Sequence, residues 1–258
     1  MSEGLVEASI DGRGVARVAI DNERRLNCLS GATAQAFADA VNGFSGRSDL
    51  RAVVVTGNGP KAFMGGADLR ELGALDPVSA RAFITRIHLM SKALRDCPVP
   101  VIGRINGYCL GAGLEVAAAC DMRVASENAV LGMPEVRVGL PSVVEAALFP
   151  QLIGWGRAKL LCYTAENIDA AEALSWGLVE KVVPADELDN AVEHWVEQIL
   201  EGGPRAIRLQ KELIREWEAM PVNDAIQAGI RSLARAMETD EPKRMIAETL
   251  ERLAKRKG

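Results

Sequence analysis

A chain of 258 residues, 48% hydrophobic and 25% charged, is long enough to bury a sizeable core in one or two domains and has an ordinary globular composition. Its net charge of −5 argues against nucleic acid as the main partner, because phosphate binding draws on clustered Lys and Arg. No apolar run approaches the roughly 18 residues that a bilayer span requires, and the opening "MSEGLVEASIDGRG" has no basic region leading into an apolar core, so a cytoplasmic protein without membrane contact is expected.

In chain order, alternating or β-branched runs predict strands at "VARVAI" (15–20) and "RAVVVT" (51–56). The second runs into "TGNGPKAFMGGADL", where Gly57, Gly59 and Ala62 form a GxGxxA pattern. A dinucleotide loop of that kind opens directly into a helix, and Gly65 and Gly66 would break one here, so Gly57 to Pro60 is read as a turn. The two later glycines precede Ala67 and a helix start at Asp68, and glycine lets a ligand approach a backbone N–H closely.

A helix is predicted from Pro77, with Phe83, Ile87, Met90 and Leu94 recurring at helical intervals, and it stops before Pro98. The strand "VPVIGRI" (99–105) follows, then "NGYCLGAGLEVAAAC", in which a turn containing Gly107 leads to a helix whose first turn holds Gly111, Ala112 and Gly113. The first N–H groups of a helix are unpaired and sit at the positive pole of its dipole, so a developing oxyanion fits there. Glu115 lies four residues past Gly111, about one turn on and on the same face. Val116, Ala117, Ala118, Ala119 and Cys120 leave this helix no polar face. Glu115 is therefore read as a buried acid, which is costly without a partner and points to function.

A strand at "DMRVAS" (121–126) precedes "LGMPEVRVGLPS", a loop stiffened by Pro134 and Pro141 that carries Glu135 between apolar residues. Ser142 and Glu145 then match a capping box, Ser-x-x-Glu, ahead of an apolar helix, with a catalytic Glu145 as the second, less favoured reading. After a last strand, "LVEKVV" (178–183), the chain past Pro184 turns to successive helical patterns punctuated by Gly202, Gly203, Pro204, Pro221 and Pro242. Leu209, Leu213, Trp217 and Met220 stripe one of these helices, and the tail "KRKG" reads as a solvated helix end. The alternation of strands and helices implies an α/β fold, with the change of character placed near residue 200.

The cysteines Cys28, Cys97, Cys109, Cys120 and Cys162 are odd in number and lack a CxxC pair, which suits reduced, buried small residues. His88 and His194 lie on amphipathic stretches without ligand spacing, so each is read as a surface or boundary histidine and no metal site is expected.

Five ordered blocks, "NERRLNCL", "KAFMGGADLREL", "PVIGRINGYCLGAGLEVAAACDMRVAS", "LGMPEVRVGLP" and "AAEALSWGLVEKVVP", resemble the crotonase family, the enoyl-CoA hydratase and isomerase superfamily, across nearly the whole chain. The resemblance implies a spiral of β-β-α turns over residues 1–200 and a C-terminal α-helical trimerisation region over 201–258, assembled as a homotrimer or a dimer of trimers. It implies an acyl-CoA thioester ligand, with CoA as part of the substrate and no separate cofactor. Carried over by position, the N–H groups of Ala67 and Ala112 are the oxyanion-hole donors, and Glu115 and Glu135 are the two glutamates of the hydratase branch. The pair would hold a water and add it across the C2=C3 bond of a 2-enoyl-CoA to give a 3-hydroxyacyl-CoA. Glu115 would take the water's proton and Glu135 would supply one to C2.

Arg24, Arg25, Ala67, Asp68, Leu69, Arg70 and Gly111 are the CoA and substrate contacts that the resemblance implies. Two departures stand out. Many relatives have glycine at Ala112, where only the backbone is used, and "SVVEAALFP" replaces a small, glycine-rich stretch after Pro141, where Val143 and Val144 are expected to reshape the acyl pocket. Other superfamily reactions stay open at this point: double-bond isomerisation, hydration of an aromatic or branched enoyl-CoA, or retro-aldol cleavage. A non-catalytic acyl-CoA binding subunit is a further alternative, disfavoured by the presence of both glutamates.

Overall fold

The computed structural model describes residues 5–255. Strands β1 (Val6–Ile10) and β2 (Val15–Ile20) form an antiparallel hairpin, followed by helix α1 (Gly31–Ser45). Three turns of one repeating pattern come next. In the first, β3 (Ala52–Gly57) and β4 (Ala62–Met64) lead to the short α2 (Leu69–Leu72) and the long α3 (Pro77–Asp96). In the second, β5 (Val101–Ile105) and β6 (Tyr108–Leu110) lead to α4 (Ala112–Ala119). In the third, β7 (Met122–Ser126) and β8 (Val130–Gly132) lead through 3-10 turns at Glu135–Val138 and Val144–Leu148 to α5 (Phe149–Thr164).

The first strands of the three turns stack in parallel, β3 on β5 on β7, and the second strands stack likewise, β4 on β6 on β8. Two sheets result: a six-stranded one of order β1-β2-β3-β5-β7-β10 and a four-stranded one of order β4-β6-β8-β9. Strand β9 (Ile168–Asp169), helix α6 (Ala170–Trp176) and strand β10 (Lys181–Val183) complete them. This is the spiral of β-β-α turns that the resemblance implies, in a mixed α/β fold.

Strand β3 shows why its run is apolar from Ala52 to Val55. Val53 and Val55 belong to the main core with α1, α3 and α4, whereas Ala52 and Val54 face a second core. A helix α7 (Leu188–Glu201) closes that second core with Leu188, Ala191, Val192, Val196 and Ile199. A strand buried on both faces reads as continuous hydrophobic sequence rather than alternation.

Helices α8 (Pro204–Ala219), α9 (Val222–Ala236) and α10 (Glu241–Lys255) follow. On α8, Leu209 and Leu213 are buried, Met220 lies just past its end and Trp217 stays exposed, donating Nε1–H to the Ala225 carbonyl at 3.0 Å. The "KRKG" tail is described only at Lys255, the end of α10; its last three residues lie outside the described residues. No described helix is long and apolar enough to cross a membrane. All five cysteines are free, with Cys97, Cys109 and Cys120 buried and Cys28 and Cys162 half-buried.

Candidate functional site

The turn after β4 supplies the first half of the site. Ala67 forms an isolated parallel bridge with Leu29: the Leu29 N–H donates to the Gly66 carbonyl and the Asp68 N–H to the Leu29 carbonyl, each at 2.8 Å. In a parallel bridge the central residue's own N–H points to the other side, and among the described residues the Ala67 N–H meets no acceptor. Asp68 caps α2 as expected, accepting from the Arg70 N–H at 2.9 Å, and its other oxygen takes the Arg25 guanidinium at 3.0 Å.

The second half is the start of α4. The short strand β6 intervenes between Gly107 and the helix, and the helix begins at Ala112 with Gly111 as its cap, one residue later than the sequence suggested. Gly111 holds φ +53 and donates its N–H to the Gly132 carbonyl at 2.9 Å. A Cβ there would lie 2.5 Å from Glu135 Oε1 and 3.9 Å from Gly66 Cα, so only glycine lets the two turns and the carboxylate meet. The Ala112 N–H, like that of Ala67, has no acceptor among the described residues. Free backbone donors beside the positive pole of a buried helix suit a developing negative charge.

Glu115 follows one turn into α4, with its N–H donating to the Gly111 carbonyl at 3.0 Å. Like every residue of α4 it is buried, at 3% exposed. Burial pushes its carboxyl up to about 8, with the charges of Glu135 and Glu145 adding to the effect. Two backbone interactions oppose them, from Ala146, whose N–H donates to Glu115 Oε1 at 3.2 Å, and from Val143. Glu135, on the first residue of its 3-10 turn, is also raised by burial, and its Oε2 accepts the Ser142 hydroxyl at 3.0 Å.

The capping box expected at Ser142 and Glu145 does not form. The segment enters a 3-10 turn capped by Val143, with no side-chain cap bond, and Val144 takes φ +38, a conformation that prevents a normal helix start. Ser142 turns to Glu135 instead, and Glu145 turns inward, 3% exposed, with Oε1 at 2.8 Å from His88 Nδ1. His88 was read as a simple boundary histidine; it lies half-exposed on α3 and holds a buried acid. His194, on α7, is exposed.

Arg24, Arg25, Ala67, Asp68, Leu69, Arg70, Gly111 and Glu135 all line one open cavity of about 520 Å³. Ala112 and Glu115 are not among the residues that line it, although Gly111, the cap of their helix, is. The same cavity includes Cys28, Arg137, Val138 and Leu140, which the sequence reading did not single out. Arg137 stands two residues after Glu135, so its place follows once that turn is fixed to the site. The cavity thus combines the Arg24, Arg25 and Arg70 guanidinium groups with the Ala67 turn and the Glu135 carboxyl. Among the described residues no cluster of three or more His, Cys, Asp or Glu side chains is arranged to hold a metal ion.

Comparison with known proteins bears on what this arrangement acts upon. The family model described as enoyl-CoA hydratase/isomerase matches residues 11–257. A short-chain-enoyl-CoA hydratase of Clostridium acetobutylicum is 33% identical over 239 residues, covering 92% of each chain. A crotonyl-CoA hydratase of Syntrophomonas wolfei is 33% identical over 234 residues, 90% of each. The crystal structure of an enoyl-CoA hydratase from Bacillus anthracis superposes with a TM-score of 0.92 at 31% identity, over 96% of this chain and 97% of that one.

Proposed function

The chain belongs to the enoyl-CoA hydratase/isomerase family, and from that premise we propose that it is a hydro-lyase adding water across the C2=C3 bond of a 2-enoyl-CoA thioester. The observation that carries the reading is the pair Glu115 and Glu135, the first buried and the second half-buried, gathered around Gly111 beside two free N–H donors. An isomerase or a plain binding pocket has no use for a second carboxyl placed there.

The donors of Ala67 and Ala112 take the thioester oxygen and stabilise the enolate that forms as the water oxygen bonds to C3; each such donor is worth about 3–4 kcal/mol in the transition state. The reaction needs one carboxylate to accept the water's proton and one carboxylic acid to deliver a proton to C2. With the Glu115 carboxyl raised to about 8 by burial and by the Glu135 charge, the pair holds a proton at neutral pH. In the free site it rests on the deeper Glu115. Glu115 as base and Glu135 as acid is the tautomer of that same charge state, reached when thioester and water bind. CoA arrives with the substrate, and Arg24, Arg25 and Arg70 at the mouth suit its phosphates. No separate cofactor enters the proposed reaction.

The relatives named for short-chain enoyl-CoA and crotonyl-CoA make crotonyl-CoA the first probe. Loss of its conjugated absorbance on adding the protein, abolished in Glu115→Gln and Glu135→Gln with CoA binding kept, is the expected result. Turnover that survives both substitutions would overturn the paired mechanism. A homotrimeric assembly through residues 201–258 is part of the same reading, supported by the exposed apolar side chains Ile226, Ile230 and Leu233 on α9 and Ile246 and Leu250 on α10. Mass measurement in solution tests it.

A further inference from the structure

Glu145 is a third buried acid that the proposed chemistry does not use. Its Oε1 meets His88 Nδ1 at 2.8 Å, and its Oε2 is buried without a hydrogen-bond partner. The residue after it, Ala146, donates its N–H to Glu115 Oε1 at 3.2 Å while also donating to the Val143 carbonyl at 2.9 Å. The residue before it, Val144, is a β-branched side chain at φ +38. Such backbone strain persists only where the surroundings over-determine it, and the His88 contact is one tie holding the segment from outside, beside the Ala146 bond to Glu115 and the packing of Val144 and Ala146 on the core.

We propose that Glu145, held by His88, is a positioning residue for Glu115, pinning the strained Val143–Ala146 segment so that the Ala146 N–H stays on the Glu115 carboxyl. The proposal rests on the hydration reading for its kinetic consequence but not for its geometry. The Glu145 charge has a second effect. The titratable groups facing Glu115 are Glu135 and Glu145 from the two 3-10 turns, Glu145 in turn faces His88 and Arg95 of α3, and Cys162 of α5 senses both Glu115 and Glu135. The Glu145 charge favours the protonated form of Glu115, so neutralising it releases the proton at lower pH.

The test compares wild type with Glu145→Gln, His88→Ala and His88→Asn. Crotonyl-CoA hydration gives kcat, KM and the pH profile. Infrared difference spectra give the carboxylic-acid band of Glu115, assigned by its absence in Glu115→Gln. His88→Ala should lower kcat about tenfold with KM unchanged, because the pair lies outside the cavity lining. His88→Asn should restore most of the loss, since the Asn amide nitrogen can stand where Nδ1 does. Glu145→Gln should move both the Glu115 band midpoint and the alkaline limb of kcat down by at least about half a pH unit. An unchanged kcat in His88→Ala with an unchanged midpoint in Glu145→Gln overturns the proposal, as does a kcat loss that only follows the folded fraction. The band is read without turnover, so a wild type that hydrates no enoyl-CoA would refute the function while the midpoint still decides the positioning role.

Discussion

Replacing Glu115 by Gln should remove the activity and stabilise the protein, and the second effect is the sharper test. Burial raises the Glu115 carboxyl from 4.5 to about 8. A folded-state value above the unfolded one means that the folded protein binds the proton more tightly, so this group's contribution is fully present below about pH 4.5 and is lost as pH rises through 8. At about 1.4 kcal/mol per unit, the loss between pH 5 and pH 8 is on the order of 3 kcal/mol. Gln has nearly the same shape and no charge to desolvate, so the variant lacks this slope. The stability difference between Glu115→Gln and wild type should therefore widen in favour of the variant by about that amount across the interval, which is a relative Tm gain of roughly 6–12 °C for a chain of this size. Thermal unfolding of both proteins in matched buffers from pH 5 to pH 8 measures it, while crotonyl-CoA hydration by the variant falls by about 10² to 10⁴. A Tm difference that stays flat across the interval would refute the reasoning, because it would mean that Glu115 is solvated or neutralised by a partner that the structure lacks.

Three further outcomes follow from named contacts. Gly111→Ala puts a Cβ 2.5 Å from Glu135 Oε1 on a backbone at φ +53; it should cost about 1–2 kcal/mol of stability in urea unfolding and lower kcat at least about a hundredfold in the hydration assay. Ser142→Ala removes the hydroxyl that favours ionised Glu135, so Glu135 holds its proton to higher pH and the acidic limb of the pH–rate profile should move upward. In the wild-type profile itself the alkaline limb should fall near pH 8, where the carboxyl pair gives up its shared proton.

The parts of the fold visible in the sequence are those whose pattern is long or whose burial is complete. Helix α3 repeats its apolar stripe over twenty residues from Pro77 to Asp96, and β3 is apolar from Ala52 to Val55 because two cores claim its two faces. Strands β4, β6 and β8 were missed because three residues carry too little alternation to register, and each exists through its neighbour in the stack. Strand β1, with only half-buried and exposed residues, has no apolar face to announce it. Glu115 stood out by composition alone. Glu135 did not: its role depends on a loop returning twenty residues later to the cap of α4, a tertiary fact that only the resemblance supplied. Ser142 and Glu145 show how a local rule fails. The spacing favours a cap, yet the Val144 backbone departs from helix and both side chains find partners across the fold, Glu135 for one and His88 for the other.

What keeps a carboxyl group with so high a proton affinity in place lies at both ends of α4. At the amino end, Gly111 ties the helix to β8 through the Gly132 carbonyl, which leaves the free N–H of Ala112 at the positive pole. At the carboxyl end stands Arg123, a β7 residue that reads from sequence as an ordinary strand position and is 2% exposed. Its Nη1 donates to the carbonyls of Ala117 at 3.2 Å and Cys120 at 2.7 Å, its Nε to Leu178 at 2.8 Å, and Glu180 pairs with it at 2.5 Å. A cation at that end answers the negative pole and satisfies carbonyls that a short helix leaves open. The small residues between, Ala112 to Ala119, let the helix sit inside the main core with no face to solvent. Glu115 therefore sits on a helix held at both ends inside the core, and its raised proton affinity follows from that clamped helix as much as from its own burial.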